Sequence, residues 1–360
     1  MSHRPIRILH LLNAMVGGGC GIVNAALDIF SGQLKEPIEI AVCADHGEMT
    51  HLLDCHGIRH FRLNQRRSAT NLLRAALSFR RIVAEFQPDI VHTHMVTGTL
   101  VARAARLGSQ YGIVAHLHNV HQRSARLMAM ADRVIAVSDA VAHDLIRNGV
   151  HPPKIRVVHN GILGSFRLSD PETTEAKALM QPAIVTVAGM NHRKGISELI
   201  AAFEKVCERQ PGCHLYLVGR GPNRAEFEAR ASVSPVYAQI HFEGFQADPV
   251  PYMKAASVFV LASRRESFGL VLTEARRCRC AIVATSVDGI PEAMDGGRAG
   301  ILVPPQDPDA LAAGLLRALE SPARNDALRT RASEHLEPFR VERVATQITE
   351  VYRELIGCSG

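Results

Sequence analysis

Apolar, β-branched runs alternate with amphipathic runs along almost the whole chain. Residues 6–12, Ile-Arg-Ile-Leu-His-Leu-Leu, have the length and content of a buried strand. A glycine-rich turn follows, and the periodicity over 22–34 predicts a helix. A second strand is predicted at 38–42. A further helix is predicted over 71–86, capped by Asn71 and closed before Pro88. Strands follow at 89–94, 113–118, 133–137 and 155–159, with helix between the first two to about residue 107. Strands alternating with helices imply βαβ units and a parallel, doubly wound sheet.

The rhythm breaks at Asn160-Gly161-Ile162, and a polar stretch through Thr173-Thr174 reads as a linker. A new series then begins, with strands at 184–188, 215–219, 240–242, 258–261, 281–284 and 300–303. Helical patterns at 196–209, 223–231, 270–278 and 309–319 lie among them, and an amphipathic tail helix spans 341–355. A chain of 360 residues exceeds what one core normally serves. The expected division is a domain at 1–165, joined by the tail at 341–360, and a domain at 166–340. Ligands of open parallel sheets bind beyond the carboxyl ends of the strands, at the switch point. Two such domains in series suit a two-substrate cleft.

Composition narrows the class. The hydrophobic fraction is 47% and the charged fraction 21%, ordinary globular values. No apolar run approaches the roughly 20 residues that span a bilayer. The apolar stretch 6–16 holds Arg7, His10 and Asn13, so no export leader is expected, and the expected location is the cytoplasm. The eight cysteines are scattered and expected to be reduced and buried; Cys278-Arg279-Cys280 is a weak metal signal. The net charge of +6 is unevenly spread: residues 1–165 carry 18 Lys+Arg against 11 Asp+Glu, and the rest 23 against 24. Arg59, Arg62, Arg66, Arg67, Arg74, Arg80 and Arg81 lie in a stretch with no acidic residue. An anionic partner such as a membrane surface fits, as does a merely solvated basic face. The 71–86 helix would place Leu73 and Leu77 beside these arginines as a basic amphipathic surface.

Three motifs carry candidate chemistry. Gly17-Gly18-Gly19-Cys20-Gly21 joins the first strand to the first helix, where backbone N–H groups can approach a phosphate; a plain tight turn is equally served. It is neither a dinucleotide fingerprint nor a Walker loop. Arg193-Lys194-Gly195 sets two cations before a helix, suited to a diphosphate or simply solvated. Glu266-Ser267-Phe268-Gly269-Leu270-Val271-Leu272-Thr273-Glu274 follows the 258–261 strand. Glu266 falls on the loop and Glu274 on the first turns of the helix. Carboxylates there can accept from sugar hydroxyls and the backbone N–H groups can take a phosphate; a helix cap with a solvated glutamate is the plainer alternative.

With these motifs in order, the chain resembles the retaining glycosyltransferases of family 4, which have the GT-B fold: two Rossmann-like domains facing a cleft. The resemblance also rests on the strand ending in His118, on 137–141, on Asn160-Gly161-Ile162, on 218–222, on Gly289-Ile290-Pro291-Glu292 and on 300–304. It implies transfer of a hexose-type sugar from a nucleotide-diphosphate-sugar to a glycan or lipid-linked acceptor, with retention and without a metal or other cofactor. A place in cell-surface polysaccharide or lipopolysaccharide synthesis goes with it, as does a peripheral position on the inner membrane face. It also implies a tail helix that crosses back to the first domain. Glu274 would bind ribose hydroxyls and Glu266 the donor sugar. Ser267, Phe268, Gly269 and Leu270 would line the sugar and diphosphate, and Arg193 and Lys194 would neutralise the diphosphate. Gly18 and Gly19 would close on it from the first domain, and His118 would sit near the anomeric centre. Asn160, Gly189, Arg220 and Phe245 complete the implied donor site. Where many relatives carry Gly-Arg, this chain has Gly189-Met190-Asn191, which leaves Arg193 more of the phosphate charge.

Other assignments compete. His92, His94, His116, His118 and His121 could form a metal site. The one D-x-D, Asp307-Pro308-Asp309, precedes a helix that Asp309 would cap. A nucleotide-sugar 2-epimerase shares the fold, and a non-enzymatic protein that binds anionic surfaces would use the arginines. Nucleic acid is not an expected partner: there is no Trp, few aromatics interleave with the arginines, and no known module appears.

Overall fold

The computed structural model describes residues 4–17, 21–66, 68–106, 108–119 and 123–357. Gly18, Gly19, Cys20, Arg67, His121 and Cys358 lie outside the described residues. The chain divides into two compact units, residues 1–167 with 339–360, and residues 168–338.

The first unit runs β1 (Ile6–Ala14), α1 (Gly21–Gln33), β2 (Ile38–Asp45), α2 (Thr50–Cys55), β3 (Arg59–Arg62) and α3 (Ala69–Phe86). It continues with β4 (Ile90–Thr93), α4 (Val96–Ala105), β5 (Gly112–Leu117), β6 (Arg133–Ala136), α5 (Asp139–Arg147) and β7 (Ile155–Val157). The second unit runs β8 (Ala183–Val187), α6 (Ile196–Arg209), β9 (His214–Val218), α7 (Arg224–Ser232), β10 (Ile240–Gly244), α8 (Val250–Ala255) and β11 (Val258–Leu261). Then come α9 (Leu270–Arg277), β12 (Ile282–Thr285), α10 (Ile290–Ala293), β13 (Ile301–Val303), α11 (Pro308–Leu319) and α12 (Pro322–Ala332). The last helix, α13 (Val341–Gly357), belongs to the first unit.

Both sheets are parallel and doubly wound. Their orders are β3-β2-β1-β4-β5-β6-β7 and β10-β9-β8-β11-β12-β13, so the winding reverses between β1 and β4 and between β8 and β11. Helices cover both faces, which is why β4, β11 and β12 read as unbroken apolar or buried runs.

The first core gathers Ile8, Leu12, Leu27, Phe30, Val42 and Val114 with Val344, Ile348 and Tyr352 of α13. Each large side chain buried there contributes about 1.5–3 kcal/mol gross. α1 and α13 approach closely at Gly32, where a Cβ would lie 2.2 Å from the Val341 carbonyl oxygen. In the second unit the buried Arg276 of α9 donates to the carbonyls of Ala293, Ala332 and Glu334, which fixes α9 against its neighbours.

Two caps differ from expectation. Ser68, not Asn71, caps α3: its Oγ accepts from the Asn71 N–H, while the Asn71 amide reaches back to the carbonyls of Asn64 and Arg66. Asp307, not Asp309, caps α11, because Pro308 takes the first helical position and the Ala310 N–H falls to Asp307. Asp309 instead pairs with Lys205. Cys43, Cys207, Cys213, Cys278 and Cys280 are buried free thiols, and Cys55 is a free thiol on the surface. Burial pushes the Cys278 thiol up to about 12 and Cys280 well above the usual range, away from a metal-binding thiolate.

Candidate functional site

In the second unit the sequence-predicted residues gather beyond the carboxyl ends of β8, β9, β10 and β11, around the β8/β11 switch point. The loop after β11 is held from several sides. Thr285 Oγ1 donates to the Ser263 carbonyl at 2.6 Å. Asp288 takes the Arg265 guanidinium in a bidentate pair at 2.9 Å and accepts the Glu266 N–H at 2.9 Å. The Gly289 N–H donates to the Glu266 carbonyl at 3.1 Å, and the Arg264 N–H to the Arg193 carbonyl at 2.7 Å.

That last bond stitches the Arg193-Lys194-Gly195 turn onto the same loop. Gly195 has φ +64°, and a Cβ on it would lie 1.9 Å from the Ala262 carbonyl oxygen, so only glycine allows the turn to lie so close. The turn brings the Lys194 ammonium onto the Glu266 carboxylate, with both side chains mostly buried. Ser263 Oγ donates to the same carboxylate at 3.4 Å. Arg193 is exposed, and its side chain forms no hydrogen bond or ion pair among the described residues. The loop therefore presents one cation balanced by a carboxylate and one uncommitted cation.

α9 starts at Gly269, which has φ +86°, so the chain turns sharply and aims the positive end of the helix at the loop. Ser267, Phe268 and Glu274 are buried beside it, and Leu270 is half-buried. Gly189 leads out of the β8 edge. The Arg220 guanidinium lies over the Phe245 ring, 4.6 Å from its centroid. Three contributors are not evident from the sequence. Asp288 and Thr285 act as braces, and the only hint of them is the neighbouring glycine-proline motif. Asn191 reads in the sequence only as the end of Gly189-Met190-Asn191, the run that lacks an arginine. Its Oδ1 is buried with no partner among the described residues, a state that costs about 1–3 kcal/mol unless a donor arrives.

The first unit holds His118, at the end of β5, and Asn160, both buried. The loop after Asn160 is tied to the returning chain: Ile162 and Leu163 N–H both donate to the Phe339 carbonyl, at 2.8 and 2.9 Å. This gives Gly161-Ile162 a local structural role.

His118 is one of five buried histidines at the β1/β4 switch point. His10 and His92 are register partners on β1 and β4, and the His116 and His118 rings stack with centroids 4.3 Å apart. Burial pushes His10 and His118 down to about 3 and His92, His94 and His116 well below the usual imidazole range, so all five are neutral at pH 7. Neutral imidazoles can hold a metal, and ring nitrogens of His94, His116 and His118 lie within 4.8 Å of one another. However, both nitrogens of His10, His92 and His94 are already in hydrogen bonds. A metal there would have to break them.

Residues 181–321 match the family described as Glycosyl transferases group 1, and residues 20–162 match Glycosyltransferase Family 4. The chain is 30% identical over 246 residues to the D-inositol 3-phosphate glycosyltransferase of Saccharomonospora viridis, covering 64% of this chain and 57% of that one. It is 34% identical over 292 residues to the phosphatidyl-myo-inositol mannosyltransferase of Mycolicibacterium smegmatis, covering 77% and 74%. The chain thus spans little more than half of the Saccharomonospora protein. The fold is similar to that of Anabaena Alr3699/HepE, solved in complex with UDP and glucose: TM-score 0.83 at 20% identity, over 97% of this chain and 100% of that one.

Proposed function

The chain belongs to the group 1, family 4 glycosyltransferases, and from that premise we propose that it moves a hexose-type sugar from a nucleotide-diphosphate-sugar to a glycan or lipid-linked acceptor, with retention and without a metal. The observation that carries this reading is the loop pair at the second switch point, where Lys194 contacts Glu266, Arg193 stays uncommitted and Glu274 lies buried on α9. Glu274 accepts from the ribose hydroxyls and Glu266 from the donor sugar. The amides of Phe268, Gly269 and Leu270 donate to the diphosphate, and Arg193 and Lys194 balance its charge. The first unit binds the acceptor and offers His118 to a sugar hydroxyl. The sugar–diphosphate bond breaks through an oxocarbenium-like state, and the new bond to the acceptor oxygen forms on the same face. A leaving diphosphate oxygen takes the acceptor proton. Fixed positive charge and positioning do the work. The D-x-D motif is engaged locally, by the α11 cap and the Lys205 pair, in keeping with a metal-free site.

A thermal-shift screen against UDP-, GDP-, ADP- and dTDP-sugars in EDTA tests this. One donor class, at about 100 times its Kd, should stabilise the protein by about 2.7 kcal/mol. Glu274→Ala should abolish the shift. No shift with any donor, or one indifferent to Glu274, would remove the assignment.

We further propose that the first unit rests on anionic lipid at the cytoplasmic membrane face, in cell-surface glycan synthesis. Support comes from α3. Its Ala75, Phe79, Ile82 and Phe86 face the core, while Leu73 and Leu77 are 65% and 56% exposed, one turn apart. Arg66, Arg74, Arg80 and Arg81 are exposed nearby. Arg59 and Arg62 are not free for this, since they pair with Glu85 and Asp45. No helix among the described residues is long and apolar enough to cross a membrane. At about 1 kcal/mol per basic residue at the surface, flotation should favour anionic over neutral liposomes and weaken in an Arg66→Ala, Arg67→Ala, Arg74→Ala triple variant. Equal flotation on both lipids would sink the idea.

A further inference from the structure

Two hydrogen-bonded rows of imidazoles start from one residue, Gln33 of α1, which is fully buried. In the first row Gln33 Oε1 meets His10 Nε2 at 2.7 Å, His10 Nδ1 meets His94 Nε2 at 3.0 Å, and His94 Nδ1 meets His118 Nε2 at 3.1 Å. In the second, Gln33 Nε2 donates to the Tyr352 hydroxyl at 3.0 Å. That hydroxyl meets His92 Nδ1, and His92 Nε2 meets His116 Nδ1 at 3.2 Å. Each row ends on a buried nitrogen with no hydrogen-bond partner among the described residues, His118 Nδ1 in one and His116 Nε2 in the other.

A neutral imidazole has one N–H and one lone pair, so setting one link sets the next. The Gln33 carbonyl oxygen only accepts, so His10 carries its proton on Nε2. His10 Nδ1 then accepts from His94, and His94 Nδ1 from His118. The Gln33 amide nitrogen only donates, so the Tyr352 hydroxyl passes its own hydrogen to His92 Nδ1, and His92 Nε2 donates to His116. All five rings therefore carry the proton on Nε2. Turning the amide over would reverse every link together and move all five to Nδ1.

We propose that Gln33 and Tyr352 are positioning residues that lock the five histidines into one shared tautomer, holding His118 Nδ1 as a hydrogen-bond acceptor and His116 Nε2 as a donor. For His118 the consequence rests on the reading above, in which it meets a sugar hydroxyl. A bare lone pair accepts from a hydroxyl and repels a phosphate oxygen, so the lock would keep the end of β5 selective for the sugar rather than the diphosphate.

Long-range ¹H–¹⁵N spectra of the histidine rings in the free full-length chain decide it, and they need neither donor nor transfer activity. The lock can therefore fail while the transferase reading stands, and the reverse. The expected wild-type spectrum shows all five rings in one tautomer. Gln33→Met should release all five rings into mixed tautomers, because a Tyr352 hydroxyl that no longer receives the amide N–H can either donate to His92 Nδ1 or accept from it. Tyr352→Phe should release only His92 and His116 and leave His10, His94 and His118 as they were. Mixed tautomers in the wild type, a Gln33→Met spectrum that still shows one shared tautomer, or a Tyr352→Phe variant that shifts all five rings would overturn the proposal. If a variant does not fold, the wild-type spectrum alone still separates one shared tautomer from a mixture.

Discussion

Lowering the pH from 8 to about 5 is expected to unfold the first unit while the second still holds its sheet. The five histidines of the first switch point are neutral when folded, with His10 and His118 held down to about 3 by burial. In the unfolded chain each takes up a proton near pH 6.5. The unfolded state therefore binds more protons as pH falls, and stability present in full above about 6.5 is lost progressively below it. Five such groups together remove about 7 kcal/mol by pH 5.5, at 1.36 kcal/mol per proton per pH unit. Domains hold only about 5–15 kcal/mol in total. Below that range the carboxyl of Glu354, kept low by Arg156 and then Arg133, adds to the loss. Urea unfolding followed by circular dichroism at pH 8, 7, 6 and 5.5 reads the slope directly. A slope nearing five protons is expected, and a slope of one proton or less would mean that the cluster titrates normally in the native state.

Lys194→Met should lower kcat/KM by about 10²–10³, mostly through kcat, because charge on the departing diphosphate builds up in the transition state and is met there by a fixed cation. Lys194 is mostly buried and, among the described residues, its ammonium pairs with Glu266 alone, so it is poised without being free in water. The substitution also leaves the Glu266 carboxylate with less compensation, so Glu266→Gln, which keeps the lysine, is the comparison to run beside it. Steady-state kinetics with the donor class found by thermal shift, together with melting temperatures of both variants, separate chemistry from folding. A fall of less than about tenfold would contradict a transition-state role for this lysine.

The alternation of apolar strands and amphipathic helices is legible in the sequence because both sheets are parallel and covered on both faces. The period of each segment then reports its partner directly. What escapes is short or weakly patterned. β3 is Arg59-His60-Phe61-Arg62, an edge strand with two arginines, and nothing in it resembles a buried run. α12 carries three arginines and only two buried side chains, Leu328 and Ala332, so no stripe marks it. Both caps fall on the polar residue just before the helix, where a second polar residue inside the first turn competes for the same role in the sequence. At the second switch point, motif spacing locates Lys194, Glu266 and Glu274. It cannot reveal Asp288 or Thr285, whose braces depend on β12 lying beside β11. The five histidines are visible in the sequence, but their organisation is not. It depends on Gln33 and Tyr352, 319 positions apart and joined by a single hydrogen bond.

α13 also sets the order in which the protein can assemble during synthesis. Residues 168–338 form an uninterrupted unit that is complete before α13 leaves the ribosome, whereas the first unit lacks Val344, Ile348 and Tyr352 until the last turns are made. At roughly 5–20 residues per second, the first unit waits about 10–40 s with the α13 side of α1 uncovered. The usual amino-to-carboxyl order of domain folding is thus inverted. A nascent or prematurely terminated chain would carry a finished second unit behind an open apolar groove, the kind of surface that holding chaperones engage.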